Sequence, residues 1–581
     1  MGVPGFFLWL WKKYKKTNFV FSKGKIDDEI LLEKINSIDY LLIDANCLIH
    51  PTCFKVLAEN PNYTNKNSLE NKMINAVIEY IEKLISYADP KEGIYLAIDG
   101  VAPTAKIKQQ RYRRFKSYHD RLMFDNIKEK HNKEVLKAWN NSAITPGTEF
   151  METLHYKILE WGKNNKRKII YSSCKTPSEG EHKLLQFIRD NINEEKKFSY
   201  VMYGLDADLI FLCLATQSSN MFLLREATEF DNKSHKEELN YVSIDIMKEL
   251  IIDTMEYLVT DENTKGDIIM KKHYNNVIND FIFICYLLGN DFLPHLPALD
   301  IYGSGLDILL EKYMELIGNY GYKKFIIETG KKSTKINQKL FFEFITFLAS
   351  EESETLKNIH ATGKKHYKCN STDPYDIEMH RIDNIYFKVE DPIQLGSDEP
   401  ELWKNRFYNH HFHLSEEEHD NFVNKMVEEY LIGLKWVTNY YFDKCPSWNW
   451  YYPYNYPPFL EDISNYMSKN KFDLNKYKFE YGSPLKPFNQ LLLVLPPQSS
   501  DLIPKELRKI MHNPNSSLAY LYPTQIKQDF IGKHKYWMAQ PLLPSFDINH
   551  VKRIYQKYEA NIPNDVLNRN KKLKIFTFSN K

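Results

Sequence analysis

Seven carboxylates in the first three hundred residues have the placement that metal-assisted chemistry needs. They are Asp44 in Asp-Ala-Asn, Asp99 in Asp-Gly, Glu179 and Glu181 in Ser-Glu-Gly-Glu-His, Asp206 and Asp208 in Leu-Asp-Ala-Asp, and Asp291 in Gly-Asn-Asp. Cleaving a phosphodiester in neutral solution requires a hydroxide nucleophile and neutralisation of the attacking and leaving oxygens, which two Mg²⁺ ions about 4 Å apart can supply. Such ions demand several oxygen ligands. Taken singly, some of these acids have plain structural readings. Ser178 with Glu181 matches a helix capping box, and Asp99-Gly100 suits a turn. Leu-Asp-Ala-Asp is harder to explain that way, because two acids one residue apart on an extended strand project to the same side and repel unless a cation lies between them. Five separate segments, each placing acids at an element end, point to a shared metal site.

The same chemistry needs a grip on the substrate. In the run from Pro103 to Lys116, Lys106, Gln110, Arg113 and Arg114 fall at i, i+4, i+7 and i+8, so one face of a helix carries three cations and an amide. Between residues 103 and 135 ten Lys or Arg stand against four Asp or Glu, a local excess that a solvated charged helix would also show. Arginine's planar fork suits a terminal phosphate, and this face follows the Asp99 turn directly, which favours a 5′-phosphate pocket. Further on, residues 436–459 are crowded with Trp, Tyr and Pro, including Trp448 and Trp450. Most of those rings belong in a core. One or two could stack on bases, the sequence-tolerant way to hold a single strand, and His50, six residues past Asp44, could do the same.

Short apolar runs at Tyr40–Asp44, Ile94–Asp99, Lys168–Tyr171 and Tyr200–Gly204 are predicted as strands. Helix-length segments lie between them at Asn71–Ala88, Lys106–Lys137, Glu149–Trp161 and Glu181–Asn191. This alternation predicts an α/β domain with a mainly parallel sheet flanked by helices. Ligands gather outside the carboxyl ends of such strands, where Asp44, Asp99, Asp206 and Asp208 fall. Phe281–Leu288 reads as a helix stopped by Gly289, leaving Asp291 just beyond. From about residue 335 the character changes: Ile336–Ser350 reads as helix, residues 351–400 as polar and turn-rich. We therefore expect an α/β domain over 1–334 and, over 335–581, a mixed, helix-rich region that is a second domain or a large cap on the first.

Bulk properties exclude several classes. Lys plus Arg (77) nearly cancels Asp plus Glu (76), so the net charge of +1 provides no global field for polyanions and any nucleic-acid contact must be local. Seven scattered cysteines without a C-x-x-C pair read as reduced thiols of an intracellular protein and imply no zinc; a cytoplasmic rather than nuclear location is an expectation only, not written in the residues. The apolar start lacks a basic stretch before it, so it is not read as a signal peptide. No apolar run approaches the roughly 18 residues that span a bilayer.

In order along the chain, several blocks resemble the Xrn-type 5′→3′ exoribonucleases: Met-Gly-Val-Pro at 1–4, Asp44 to His50, Ile98 to Pro103, Lys106 to Phe115, Thr145-Pro-Gly147, Ser178 to Lys183, Gly204 to Leu209, Gly289 to Pro294 and Cys445 to Tyr454. The resemblance implies a PIN-like, flap-nuclease-like catalytic fold. It implies that Asp44, Asp99, Glu179, Glu181, Asp206, Asp208 and Asp291 hold two Mg²⁺, with Mn²⁺ able to substitute. It assigns Lys106, Gln110, Arg113 and Arg114 to the 5′-phosphate, and His50 with a tryptophan of Trp448-Asn-Trp450 to bracketing the bases. The implied substrate is single-stranded RNA with a 5′-monophosphate, degraded processively to nucleoside 5′-monophosphates by a monomer whose protein partners are unknown. Departures from the family pattern are Gly5 where Lys is usual, Cys47 where Gly is usual, and Ser178 before Glu179 where Gly is common. The chain resembles the catalytic core without the long carboxyl-terminal extension or the zinc knuckle of some members. Two other classes share features with it. A flap-type DNA nuclease would use a similar acid set, but the aromatic block argues against it. A non-catalytic RNA-binding scaffold is disfavoured because every acid is present.

Overall fold

The structure, a computed structural model, describes residues 6–14, 17, 19–24, 28–135, 138–192, 197–226, 239–259, 268–299, 305–330, 333–362 and 367–579. The Met-Gly-Val-Pro block, Gly5 and the predicted helix end at Lys137 lie outside the described residues. The predicted strands form as β2 (Tyr40–Asp44), β3 (Gly93–Ala97), β4 (Ile169–Ser172) and β5 (Tyr200–Tyr203), preceded by β1 (Val20–Ser22) and followed by β6 (Met221–Glu226) and β7 (Leu239–Ser243). Two small antiparallel pairs, β8 (Ile327–Thr329) with β9 (Thr334–Ile336) and β10 (Lys527–Asp529) with β11 (Gln540–Leu542), lie apart from the main sheet. The last strand is β12 (Phe576–Phe578).

The main sheet runs β1-β7-β6-β5-β2-β3-β4-β12. Its centre, from β6 to β4, is parallel, while β1, β7 and β12 add antiparallel edges. Alternate residues of the central strands face different cores: Tyr40, Leu42, Tyr200 and Met202 pack on one side, Leu41, Ile43, Val201 and Tyr203 on the other. Burial on both faces is why these runs are continuously apolar rather than alternating. Chain order steps from β2 outward through β3 and β4, then returns to the other side of β2 at β5. The carboxyl ends of β2 and β5 therefore flank the crevice where the winding reverses, the place where open α/β sheets bind ligands.

The region after residue 335 differs from its sequence reading in two places. The helix predicted over Ile336–Ser350 spans Gln338–Thr362. Its continuation is hidden in the sequence because a polar residue occupies the buried face: Glu352 accepts from Leu460 N and Glu461 N at 2.9 and 3.0 Å, capping the helix Leu460–Lys469. The stretch 351–400 also contains the helix Pro374–Asp383, which buries no side chain and so has no apolar stripe. Its start is set by Asp373, whose carboxylate accepts from Tyr375 N, followed by Pro374 in the first turn. Carboxyl-terminal segments also build the core around the main sheet. The helix Pro487–Val494 packs on the basic helix, apolar residues from Leu485 to Ile562 share a core with β2 to β5, and β12 pairs with β4.

Candidate active site

Each acid is delivered by the end of an element. Asp44 closes β2 and caps the helix Ala45–Glu59, accepting from Asn46 N at 3.3 Å and from the Cys47 thiol at 3.2 Å. Asn46 Oδ1 in turn accepts from Asp99 N at 3.0 Å, tying the loop after β3 to the loop after β2. Asp99 Oδ1 accepts from Gly180 N at 2.6 Å, where the helix Gly180–Asp190 begins. Gly180 lies so close that a Cβ there would meet Asp44 Oδ1 at 2.6 Å. The residue preceding the helix is Glu179, which makes no side-chain capping bond. The capping-box reading of Ser178 and Glu181 is thereby corrected: Ser178 has φ +101°, one residue too early to cap, and Glu181 turns into the cavity from the first helical turn.

The reading of Asp206 and Asp208 as neighbours on an extended strand is corrected as well. β5 ends at Tyr203, and the helix Ala207–Ala215 starts between the two acids, so Asp206 precedes it and Asp208 stands in its first turn. The seventh acid, Asp291, follows Gly289, whose φ of +88° ends the preceding helical turn.

A cavity of about 270 Å³ is lined by Asp44, Asp99, Glu179, Glu181, Asp206 and Asp208, and by Lys106, Gln110, Arg113, Arg114 and His50. Asp291 is not in the lining but reaches the group through Lys106, whose ammonium lies 2.8 Å from Asp291 and 2.5 Å from Glu179. Burial, then the Asp99 charge, pushes the Asp44 carboxyl up to about 8. Burial raises Asp208 to about 7 and Glu181 well above the carboxylate range. Burial would lift Asp291 too, but the Lys106 ammonium overrides it and holds that carboxyl low. Among the described residues Lys106 pairs with Glu179 and Asp291, while the raised Asp44, Glu181 and Asp208 carboxyls mark a crowding of negative charge that divalent cations would relieve. Glu179, Glu181 and His182 place ligand atoms within 4.8 Å of one another.

The basic helix, Thr104–Lys130, divides its cations. Lys106, Arg113 and Arg114 face the cavity. Arg114 is pushed down to about 9 by burial and by Arg113 beside it, and its Nε is buried without a partner among the described residues, as is Gln110 Oε1. Lys108 and Arg111 point the other way and are consumed in structure: Lys108 donates to Tyr452 O and Tyr454 O at 2.8 and 2.7 Å, and Arg111 to Leu493 O at 2.8 Å and to Leu521 O. The local excess of positive charge read from sequence is therefore smaller where it meets the site.

His50 lines the cavity with its ring held neutral, pushed down to about 4 by burial, Arg113 and Arg114. The structure does not bring Trp448 or Trp450 to that lining. Trp448 is buried, and its carbonyl anchors the start of the basic helix by accepting from Thr104 N and Oγ1 at 3.0 and 2.7 Å. Trp450 stacks on the buried Trp436 with centroids 5.4 Å apart, so packing against the helix Glu416–Phe442 takes up its face. Several site residues escaped the sequence reading. Tyr440 donates to Glu179 Oε1 at 2.7 Å and stacks on His182 at 3.6 Å, and Gln490 lines the cavity while accepting from Ala102 N at 3.1 Å. Both arrive from hundreds of residues away in apolar helices, with no local motif to mark them.

Comparison with known proteins shows which family the chain resembles. The chain matches the family model of the XRN 5′-3′ exonuclease N-terminus over residues 1–227 and that of the Xrn1 helical domain over residues 271–368 and 350–580. It is 28% identical to "5′-3′ exoribonuclease 2" of Arabidopsis thaliana across 99% of its own length and 69% of the relative's. A second relative, "5′-3′ exoribonuclease 2" of Candida albicans, is 28% identical across 99% of this chain and 74% of the relative. "5′-3′ exoribonuclease 1" of Homo sapiens is 29% identical across 94% of this chain and 33% of the relative. With both models matching in order and the acids converging on one crevice, the chain belongs to the XRN 5′-3′ exonuclease family.

Proposed function

We propose that the protein is a 5′→3′ exoribonuclease that removes nucleotides from single-stranded RNA bearing a 5′-monophosphate. The observation that carries this reading is one cavity lined both by six carboxylates and by Lys106, Gln110, Arg113 and Arg114. The seven acids would hold two divalent cations, Mg²⁺ with Mn²⁺ as a substitute, which supply Lewis acidity at the phosphodiester. Arg113 and Arg114 bind the 5′-terminal phosphate through charge-assisted hydrogen bonds, and Gln110 adds an amide. Lys106, fixed between Glu179 and Asp291, joins the acids to the basic helix. The neutral His50 ring stacks on a base without adding charge.

The region after residue 335 closes the site by contributing Tyr440 and Gln490. A terminal phosphate in the slot sets the register of cleavage, so one nucleotide leaves per cycle. The test uses purified protein, Mg²⁺ and three RNAs of one sequence with 5′-monophosphate, 5′-hydroxyl or 5′-triphosphate ends. The expected result is fastest decay of the monophosphate RNA with release of nucleoside 5′-monophosphates. Equal decay of all three would remove the phosphate slot, and no decay would remove the enzyme.

A further inference from the structure

A second cavity, of about 530 Å³, adjoins the first and shares His50, Arg113 and Arg114 with it. None of the seven acids lines it, and among the described residues no other carboxylate does. Its wall continues the same face of the basic helix through Ser117, Tyr118 and Arg121. From Arg114 to Arg121 the helix rises about 10 Å, close to the length of one nucleotide. Three guanidinium groups without a lining acid select an anion. Tyr118, with the Arg121 guanidinium 5.0 Å above its ring, and the Trp139 side chain add flat apolar surface. The wall opposite the helix is held in place: Asn140 accepts from Ser142 N at 3.1 Å and donates to Ser499 Oγ at 3.0 Å, and Trp139 donates to Glu70 at 3.0 Å. Anion-binding groups beside aromatic faces, in a space of this size, fit a nucleotide.

Resting on the function proposed above, we propose that this cavity receives the released nucleoside 5′-monophosphate. After cleavage the remaining RNA still lies at the acids, and the product's phosphate sits on Arg113 and Arg114. Retreat past the acids is blocked by the RNA still held there, whereas movement along the helix hands the phosphate to Arg121 and its base to the Tyr118 side of the cavity. The product leaves by a route the RNA does not use, so the enzyme need not release its substrate between cycles.

The test is steady-state decay of 5′-monophosphate RNA, in Mg²⁺, at rising concentrations of adenosine 5′-monophosphate. A nucleotide in the second cavity lowers kcat without raising KM, whereas one in the phosphate slot raises KM alone. The expected result for the unaltered protein is inhibition with a kcat component. Arg121→Ala should weaken that component roughly tenfold, the loss of one charge-assisted hydrogen bond. Tyr118→Ala should weaken it too, and Arg121→Lys should keep most of it. Single-turnover cleavage and the thermal midpoint of all three variants should match the parent, which separates this effect from misfolding. Absent or purely competitive inhibition, or a kcat component unchanged in Arg121→Ala, overturns the proposal. Failure of the unaltered protein to cleave 5′-monophosphate RNA in a single turnover would instead count against the proposed function.

Discussion

At the scale of single residues, the acids are costly to the fold and explicable only together. Asp44 is buried, and its carboxyl is raised to about 8, above the roughly 3.9 expected in the unfolded chain. The folded state therefore binds this proton more tightly than the unfolded state does. The resulting stability is full below about pH 4 and is lost as pH climbs through about 8. Chelator-treated protein should thus show a thermal midpoint that falls between pH 6 and pH 8.5. Mg²⁺ should restore most of the loss at pH 8.5 and little at pH 6, because cation and proton compete for the same carboxylates. A metal-independent, flat profile in a melting series would contradict this. Asp208→Ala should lower single-turnover cleavage by at least about a hundredfold while changing RNA affinity little, since the lost oxygen acts on the transition state. A filter-binding assay beside the rate measurement checks both halves.

At the scale of elements, the parallel strands were legible because their burial on both faces leaves continuous apolar runs, and the runs of β2, β3 and β5 end at or just before Asp44, Asp99 and Asp206. The acids at their ends were legible for the same reason. What the sequence could not disclose was how the long helix Glu416–Phe442 meets them, because the side chains it sends to the site are ordinary members of an aromatic stripe. Tyr440 looks like core and is core, yet its hydroxyl donates to Glu179 at 2.7 Å. Of the two tryptophans, Trp450 packs on this helix and Trp448 anchors the basic one, contacts that no local pattern announces. Tyr440→Phe keeps the ring against His182 and removes only the bond to Glu179. We expect kcat to fall about tenfold with KM unmoved, and the Mg²⁺ requirement to shift upward, as befits a positioning residue. Unchanged Mg²⁺ dependence would assign Tyr440 to packing alone.

At the scale of the whole molecule, the two regions read from sequence are interlocked rather than stacked. Arg111 is buried in bonds to Leu493 and Leu521, the helix Pro487–Val494 packs along the basic helix, and β12 extends the sheet beside β4. Each fully buried leucine or isoleucine of the late segment contributes about 1.5–3 kcal/mol, more in sum than a typical domain's net stability. A fragment of residues 1–334 should therefore show no cooperative thermal transition by circular dichroism, and a sharp transition with native ellipticity would argue for independent folding. The return of the late chain into the first core was not legible in the sequence, because long-range pairing leaves no local pattern. The central claim is that the arginine slot and the acid cluster act as one site on the RNA end. It is tested most directly by the ratio of decay rates for 5′-monophosphate over 5′-hydroxyl RNA in the parent protein and in Arg113→Ala/Arg114→Ala. A ratio well above one that collapses toward one in the variant, with the slow 5′-hydroxyl rate unchanged, is the predicted result. A ratio that survives removal of both arginines would contradict the account.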